Sequence, residues 1–306
     1  MLFSILVANY NNAPFLKACF DSILKQTYKE IEVVFVDDCS TDNSIAIFEE
    51  YKSQFYEYSL HINEKNRGCG FTKKQCADVA QGEISGFIDP DDTLIDNAVE
   101  LMIEQHQLHN SVSLIYSNHF RCNAQLKEPS LSTQTKRLNS PSYLQDTLGS
   151  VSHFATFKNN LYQKSRGINP AFNRAVDQSL YYALDDVGAF LFINKPLYFY
   201  RLHAGGISGS SDKFLRAKHW AIKAMKESFH YRIKNNIKNN ISLKELKHRE
   251  SDLSMNWVDY YASQNEYKNM YCQLFHSIAK FPSQNILLKI KYSLYPIKVQ
   301  LKATRI

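Results

Sequence analysis

Asp89-Pro90-Asp91-Asp92 places three carboxylates within four residues. Like charges that close repel each other, and aspartates at i and i+2 can turn oxygens toward one hard cation. A Mg2+ or Mn2+ ion holding a diphosphate suits such a donor set. A solvated acidic turn accounts for the same residues, since Asp and Pro are ordinary turn formers. The preceding run, Ile84-Ser85-Gly86-Phe87-Ile88, reads as a strand, so the carboxylates fall at a strand end. Two more polar clusters follow apolar runs in the same way. Asn9-Tyr10-Asn11-Asn12 follows residues 3–8, and Asp37-Asp38 closes the run at 31–36. Three strands delivering polar groups to one edge is a stronger signal than any single cluster.

The elements that must carry these groups alternate. Pro14 opens a helix in which Phe15, Leu16, Cys19, Phe20, Ile23 and Leu24 recur at helical spacing. Ser40-Thr41-Asp42 supplies N-cap chemistry for a helix through Ile45, Ile47, Phe48 and Tyr51. A short strand at 60–62, a helix over 71–80 after Gly68 and Gly70, a helix over 96–109 and a strand at 114–116 follow. That rhythm predicts an α/β fold, a doubly wound, mostly parallel sheet flanked by helices. Such sheets bind ligands in the crevice beyond the carboxyl ends of their strands. Residues 123–148 are polar and aperiodic and read as a loop-rich connection. A helix over 177–184 precedes two strands, 190–193 and 197–200, around an Asn194-Lys195-Pro196 turn. From about residue 211 the pattern is helical, basic and aromatic, as for an added helical subdomain.

A chain of 306 residues can bury a large core. Its six cysteines are scattered without CxxC spacing, so neither a zinc site nor a disulfide framework is signalled and a reducing cytoplasm is the simplest setting. The opening apolar run lacks a basic leader and reads as a strand, not a secretory signal, and no stretch has the length of a transmembrane helix. The net charge of +6 is concentrated after residue 213. An anionic substrate or an anionic lipid surface explains this better than nucleic acid, for which there is no reading motif.

Taken in order, several of these pieces resemble the family 2 glycosyltransferases of GT-A fold. They are Ser4-Ile5-Leu6-Val7-Ala8-Asn9-Tyr10-Asn11, Ser22-Ile23-Leu24-Lys25-Gln26-Thr27, Val36-Asp37-Asp38-Cys39-Ser40-Thr41-Asp42, Asn66-Arg67-Gly68, Ala80-Gln81-Gly82-Glu83, Phe87-Ile88-Asp89-Pro90-Asp91-Asp92, Val176-Asp177-Gln178-Ser179-Leu180 and Tyr200-Arg201-Leu202-His203. The resemblance spans residues 1–210. It implies a nucleotide-binding half at 1–120, an acceptor-binding half with a lid at 121–210, and a basic helical region at 211–306. It also implies a UDP-sugar donor and a divalent metal, Mn2+ or Mg2+. Ala8 and Tyr10 would line the uracil or ribose pocket, Asp38 would accept the base N–H, and Asp37 stands beside it. Asp89, Asp91 and Asp92 occupy the DxD region, with Asp91 as direct metal ligand and Asp89 on the ribose or a metal-shell water. Lys73 stands where the family often has arginine near the nucleotide.

Asp177 matches the general base of inverting members; Val176 replaces the Glu that often precedes it. Asp also commonly caps a helix, and the two roles are compatible. Arg201 would pair with the leaving group, and His203 would bind metal or phosphate, although a lone His is also a common surface or packing residue. Gly205-Gly206-Ile207-Ser208 would let a loop close over the diphosphate. The implied reaction moves a hexose or N-acetylhexosamine to a saccharide acceptor, free or lipid-linked, in surface polysaccharide synthesis. Two rivals stand beside it. A sugar nucleotidyltransferase is disfavoured because no Gly-rich basic loop follows the first strand, and a non-catalytic sugar-nucleotide or glycan-binding module is disfavoured by the intact acidic motif and Asp177. The segment 287–302 mixes apolar and cationic residues, as for a peripheral anchor on an anionic membrane surface or for a packed terminal helix interrupted at Pro296.

Overall fold

The apolar run near the amino terminus sends alternate side chains into two cores. Phe3, Ile5 and Val7 enter one hydrophobic cluster and Leu6 the other, as the two-residue period of a strand requires. In the computed structural model, which describes residues 1–146, 149–203, 205 and 211–294, this strand is β1 (Phe3–Asn9). It pairs in parallel with β2 (Ile31–Asp37) on one side and β4 (Ile84–Phe87) on the other, and β3 (Glu57–Ile62) adds in parallel to β2. Phe3 lies opposite both Ile31 and Ile84. The three strands therefore run in register, and their polar carboxyl ends emerge together.

Helices cover both faces. Leu16, Cys19 and Phe20 of α1 (Ala13–Leu24), Phe48 of α2 (Ser44–Tyr51) and Val99 and Met102 of α4 (Ala98–Leu108) join the cluster of Phe3 and Ile5. Cys76 of α3 (Cys69–Val79) and Leu180 and Leu184 of α6 (Val176–Asp185) join that of Leu6. This is the doubly wound arrangement expected from the sequence.

The second half of the sheet is mixed. The strand order is β3-β2-β1-β4-β8-β6-β9-β5, where β5 is Thr93–Leu94, β6 Val112–Cys122, β8 Ala155–Lys158 and β9 Ala189–Arg201. β8 is antiparallel to both β4 and β6, β9 is parallel to β6, and β5 and the short β7 (Ser130–Leu131) are antiparallel additions. A one-turn helix, α5 (Asn159–Tyr162), follows β8. The expected turn at Asn194-Lys195-Pro196 is not formed: β9 runs through it as one strand. Its register against β6 shifts around Asn118, which lies opposite Pro196. An irregularity of that kind is where a strand tolerates a proline, because no ladder donor is required there.

The carboxyl-terminal region is helical: α7 (Ser211–Lys234), α8 (Leu243–Ser263), α9 (Tyr267–Lys280) and α10 (Ile286–Ser293). A capping box of Ser242 and Glu245 starts α8. Ile222, Met225 and Phe229 of α7 and Leu246 and Leu253 of α8 belong to the same cluster as Leu6, whereas Met255, Val258, Met270, Leu274 and Tyr292 form a smaller cluster of their own. Among the described residues no helix is long and apolar enough to cross a membrane. Of the basic terminal segment, residues 295–302 lie outside the described residues, as do residues 206–208 of the proposed closing loop and residues 147–148 of the polar connection. Lys289 does not join a cationic face. It is buried, and its ammonium donates to the carbonyls of Phe281 at 2.6 Å and Ser277 at 3.2 Å.

A buried ion-pair cluster ties α7 to α6. The buried Arg232 guanidinium donates to Asp185 Oδ2 at 2.7 Å and Asp186 Oδ1 at 2.6 Å, at the carboxyl end of α6, and to Ser142 Oγ at 3.0 Å. Asp185 also accepts the backbone N–H groups of Tyr143 and Leu144. Removing one partner of such a group leaves a desolvated charge unpaired. Arg232→Met is expected to cost about 3–5 kcal/mol, read as a lower urea midpoint at unchanged slope. Asp186→Asn in the same background should restore part of that loss.

Candidate active site

Burial demands donors for every carboxylate at the strand ends. Asp37, fully buried at the end of β2, accepts from Asn9 Nδ2 at 2.8 Å, from Ser40 Oγ at 2.7 Å and from the Ser40 N–H at 2.7 Å. The loop after β1 is stitched to the same loop. Asn11 N donates to Ser40 Oγ at 2.9 Å, and Asn11 Oδ1 accepts from Thr41 N at 2.8 Å. Asp37 is closed off from solvent, so any part it has in ligand binding runs through the loops it ties. Asp38 accepts from Asn63 Nδ2, Arg67 N and Gly68 N, each at 2.8 Å. It thereby fixes the turn that leads into α3. Ala8 is half-buried beside these loops and Tyr10 stands 46 % exposed at their rim.

The acidic motif continues β4. Ile88 N still donates to Leu6 of β1, and Asp89 follows. The three carboxylates then part company. Asp89 Oδ1 accepts from Lys73 Nζ of α3 at 2.7 Å. Burial opposes the charge on both groups; their mutual attraction outweighs it, lowering the Asp89 pKa and raising that of Lys73. Asp91 Oδ2 lies 2.9 Å from His203 Nε2. Asp92 is buried, accepting from Tyr198 Oη at 2.7 Å and Arg201 N at 2.7 Å. Burial, then the charges of Asp91 and Asp89, push its carboxyl well above the usual range. Asp92 is closed off within the fold by its burial, and its visible work is to clamp the motif onto β9. Tyr198 Oη closes the clamp by accepting Asp89 N at 3.1 Å.

Arg201 is also largely turned inward. Its Nη1 donates to the Ala124 carbonyl at 2.7 Å, its Nε to that of Asp91, and its guanidinium carbon lies 5.0 Å from the centre of the Phe15 ring. Nη2 is buried without a hydrogen-bond partner among the described residues.

Asp177 is half-buried in the first turn of α6. It is not the cap of that helix: Ala175, in the left-handed region at φ 51°, occupies the N-cap, and no side chain caps it. Asp177 instead lines a cavity of about 30 Å3 together with Lys73, Asp89, His153 and Tyr181, room for about one or two waters. Residues 89 and 177, remote in sequence, thus face one space. Glycine makes this approach possible. A Cβ on Gly70, in α3, would lie 2.4 Å from the Phe172 carbonyl oxygen and 2.9 Å from that of Asn169. Only a bare α-carbon lets the 169–172 segment pack this close and deliver α6 to the cavity.

Residues 4–166, more than half of the chain, match the family described as glycosyl transferase family 2. The chain belongs to that family. Chondroitin synthase of Escherichia coli is 29 % identical over 224 residues, which is 72 % of this chain and 32 % of that protein. This glycosyltransferase chain therefore spans about a third of that synthase. Among solved structures, S. aureus TarS 1-349 in complex with UDP superposes with a TM-score of 0.63 at 18 % identity, over 92 % of this chain and 81 % of that one. The complex of TarS 1-349 with UDP-GlcNAc gives 0.62 at 18 % identity, over 92 % of each chain. At that identity the likeness is one of fold, and the fold is GT-A.

His153 carried no signal in the sequence. Its ring is stacked between Tyr198, 4.8 Å away at 16°, and Tyr200, 5.3 Å away at 10°, and it lines the cavity. Burial lowers its pKa, against the pull of Asp89. Both tyrosines lie on β9 and His153 precedes β8, so only the pairing of distant strands assembles the stack. The Gly70 contact gives a direct test. Gly70→Ala is expected to destabilise the protein by about 1–3 kcal/mol through overpacking, seen as a lower melting temperature. An unchanged melting temperature would mean that the 169–172 segment gives way freely.

Proposed function

We propose that this chain is an inverting glycosyltransferase that moves a hexose or N-acetylhexosamine from a UDP-sugar to a hydroxyl of a saccharide acceptor in surface polysaccharide synthesis. The observation that carries the reading is the shared cavity, where Asp177 faces the Lys73–Asp89 pair across a small cleft. The relatives support the donor, since TarS is crystallised with UDP and with UDP-GlcNAc.

The nucleotide would lie over the stitched loops after β1 and β2, beside Ala8 and Tyr10. A carboxylate offers about four acceptor sites. Asp38 uses three, and Oδ2, which accepts only Gly68 N, keeps one for a base N–H. Asp37 holds the loops from behind. The diphosphate would lie along the acidic motif, within reach of the Lys73 ammonium, while Arg201, whose Nη2 is buried, would support it from behind by holding the Asp91 carbonyl. Asp89 orients Lys73 and would contact the ribose or a water in the metal shell.

Among the described residues no group of three or more His, Cys, Asp or Glu side chains forms a ready metal cage. A cage is not what this chemistry needs, because Mg2+-type ions are commonly held by one or two carboxylates plus substrate phosphates. The Asp91 carboxylate fits that donor set, and the His203 imidazole, 2.9 Å from it, would add a nitrogen ligand that Mn2+ accepts more readily than Mg2+. When bound there, a divalent cation would offset the negative charge that grows on the departing diphosphate.

Displacement requires the acceptor hydroxyl to lose its proton on the face opposite the leaving group. Asp177 takes that proton as the new bond to the anomeric carbon forms, and the electron pair of the old bond leaves with the β-phosphate oxygen. Backside attack inverts the anomeric centre. Val176 offers no second carboxylate for the acceptor, so the base acts alone. His153, stacked on β9, forms the floor of the cleft and keeps water from the reacting carbon.

Asp177→Asn is expected to leave UDP binding intact in calorimetry while transfer from a UDP-sugar falls by roughly 10² or more; undiminished turnover would remove Asp177 from the role of base. Asp91→Ala should weaken UDP binding in Mn2+ and leave it little changed in EDTA. Wild-type affinity that is equal in Mn2+ and EDTA would rule out the metal site.

A further inference from the structure

Along α7, His219, Lys223, Lys226, His230 and Lys234 recur at intervals of three and four, so they share one face of the helix. That face does not look into bulk solvent alone. It forms one wall of an open groove of about 720 Å3 whose other walls come from α8 and α9. The volume falls within the roughly 300–1,000 Å3 of ligand-sized clefts, and the groove is distinct from the cavity of Asp177. Its floor is apolar and aromatic, with Ile222, Leu253, Trp257 and Tyr231.

The charges in the groove do not balance. Three lysines, Lys223, Lys226 and Lys234, line it against two glutamates. Glu250 pairs with Lys226 at 2.6 Å and with Lys280 at 3.5 Å, and Glu227 accepts from Asn169 Nδ2 at 2.9 Å. Among the described residues Lys223 makes ring contacts alone, 4.5 Å from the Trp220 centroid and 5.2 Å from that of Phe172. Among the described residues Lys223 and Lys234 form no ion pair. With His219, His230 and His276 nearby, the groove is a cationic rim over an aromatic floor. The mutual effect is visible at His219, whose pKa is lowered by burial and then by Lys223, Lys226 and His276.

The groove is also tied to the reaction cavity. Asn169 bonds Glu227, and the Arg166 guanidinium lies 4.9 Å from the Tyr231 ring centre. Ile168, between them in sequence, lines the cavity with Asp177. One segment thus touches both spaces.

We propose that the α7–α8–α9 groove binds an anionic stretch of the saccharide acceptor, a run of uronate- or phosphate-bearing units remote from the reacting hydroxyl. This rests on the transferase reading above. Lysines that lack carboxylate partners complement the anionic groups, and flat rings between them suit the apolar faces of sugar rings, which an extended acidic peptide lacks. Holding the acceptor at a second point, on a segment shared with the cavity of Asp177, limits its freedom at the cleft.

The test uses the whole chain and four probes at low and high salt: a chondroitin hexasaccharide, a ribitol phosphate oligomer, a neutral chitohexaose and a poly-glutamate peptide. Binding is followed by calorimetry in wild type, Lys234→Glu and the double variant Lys223→Gln/Lys234→Gln. Expected is salt-sensitive binding of one or both anionic saccharides, weakened about tenfold in the double variant, with chitohexaose and poly-glutamate bound poorly. Preference for the hexasaccharide assigns the anion to uronate, and preference for the ribitol phosphate assigns it to phosphate. Equal binding of chitohexaose or poly-glutamate, no binding of either anionic saccharide, or unaltered affinity in both variants overturns the proposal. UDP binding is measured on the same preparations. It should be untouched by these substitutions, and its absence in wild type would strike the donor reading without bearing on the groove.

Discussion

A carboxylate taken out of water must be met by donors, and this protein meets that requirement repeatedly along one sheet edge. Asp37, Asp38 and Asp92 are each buried at or just beyond a strand end, and each is satisfied by groups from elsewhere in the chain. Asp37 joins the loop after β1 to the loop after β2, Asp38 fixes the entry to α3, and Asp92 clamps the acidic motif to β9. Because each carboxylate has few alternative partners inside the fold, each contact also specifies geometry. The exposed chemistry rests on this layer. Asp89 and Asp91 are free to face a cleft because Asp92, between the motif and the core, is not.

The junction of the two sheet halves is the second constraint. β1, β2 and β4 deliver their ends in register, but a parallel sheet alone gives only one wall. β8, antiparallel to β4, and β9, antiparallel to β5, return the chain so that His153, Tyr198 and Arg201 stand opposite the acidic motif. The other wall comes from α6, held near α3 by the bare α-carbon of Gly70. A cleft with a cationic and acidic floor on one side and a helical carboxylate on the other is a consequence of these two packings.

This explains which parts were legible in the sequence. The parallel half could be read because continuous apolar runs ended in polar clusters, and the helices between them kept their period. The acidic motif and Asp177 were visible as residue types in an ordered set. What each carboxylate does was not. Nothing in Asp89-Pro90-Asp91-Asp92 distinguishes the aspartate that is buried from the two that face outward, since that is decided by Tyr198 and Arg201 more than a hundred residues on. β9 was divided because Pro196 ordinarily ends a strand, and only the shifted register against β6 shows how it is accommodated. His153 was silent for the same reason as Asp92, because its neighbours Tyr198 and Tyr200 come from another strand. Lys289 misled because a cationic residue in an apolar helix looks amphipathic until its ammonium is found on buried carbonyls.

The carboxyl-terminal helices change meaning once their packing is known. From composition they look like a basic appendage, separable from the transferase fold. In the structure α7 and the first part of α8 complete the core around Leu6, and Arg232 carries α7 onto the end of α6. α6 bears Asp177 in its first turn and Asp185 and Asp186 at its last, so its position is set at one end by the close approach at Gly70 and at the other by a buried guanidinium. The ten residues of α6 span the distance from that guanidinium to the carboxylate at the cleft. The groove along α7 and the cavity beside α6 are joined through residues 166–169. On the proposed reading, an acceptor held at the first and reacting at the second gains from a fixed α6, because a misplacement of about 1 Å at the reacting groups costs on the order of 10²-fold in rate.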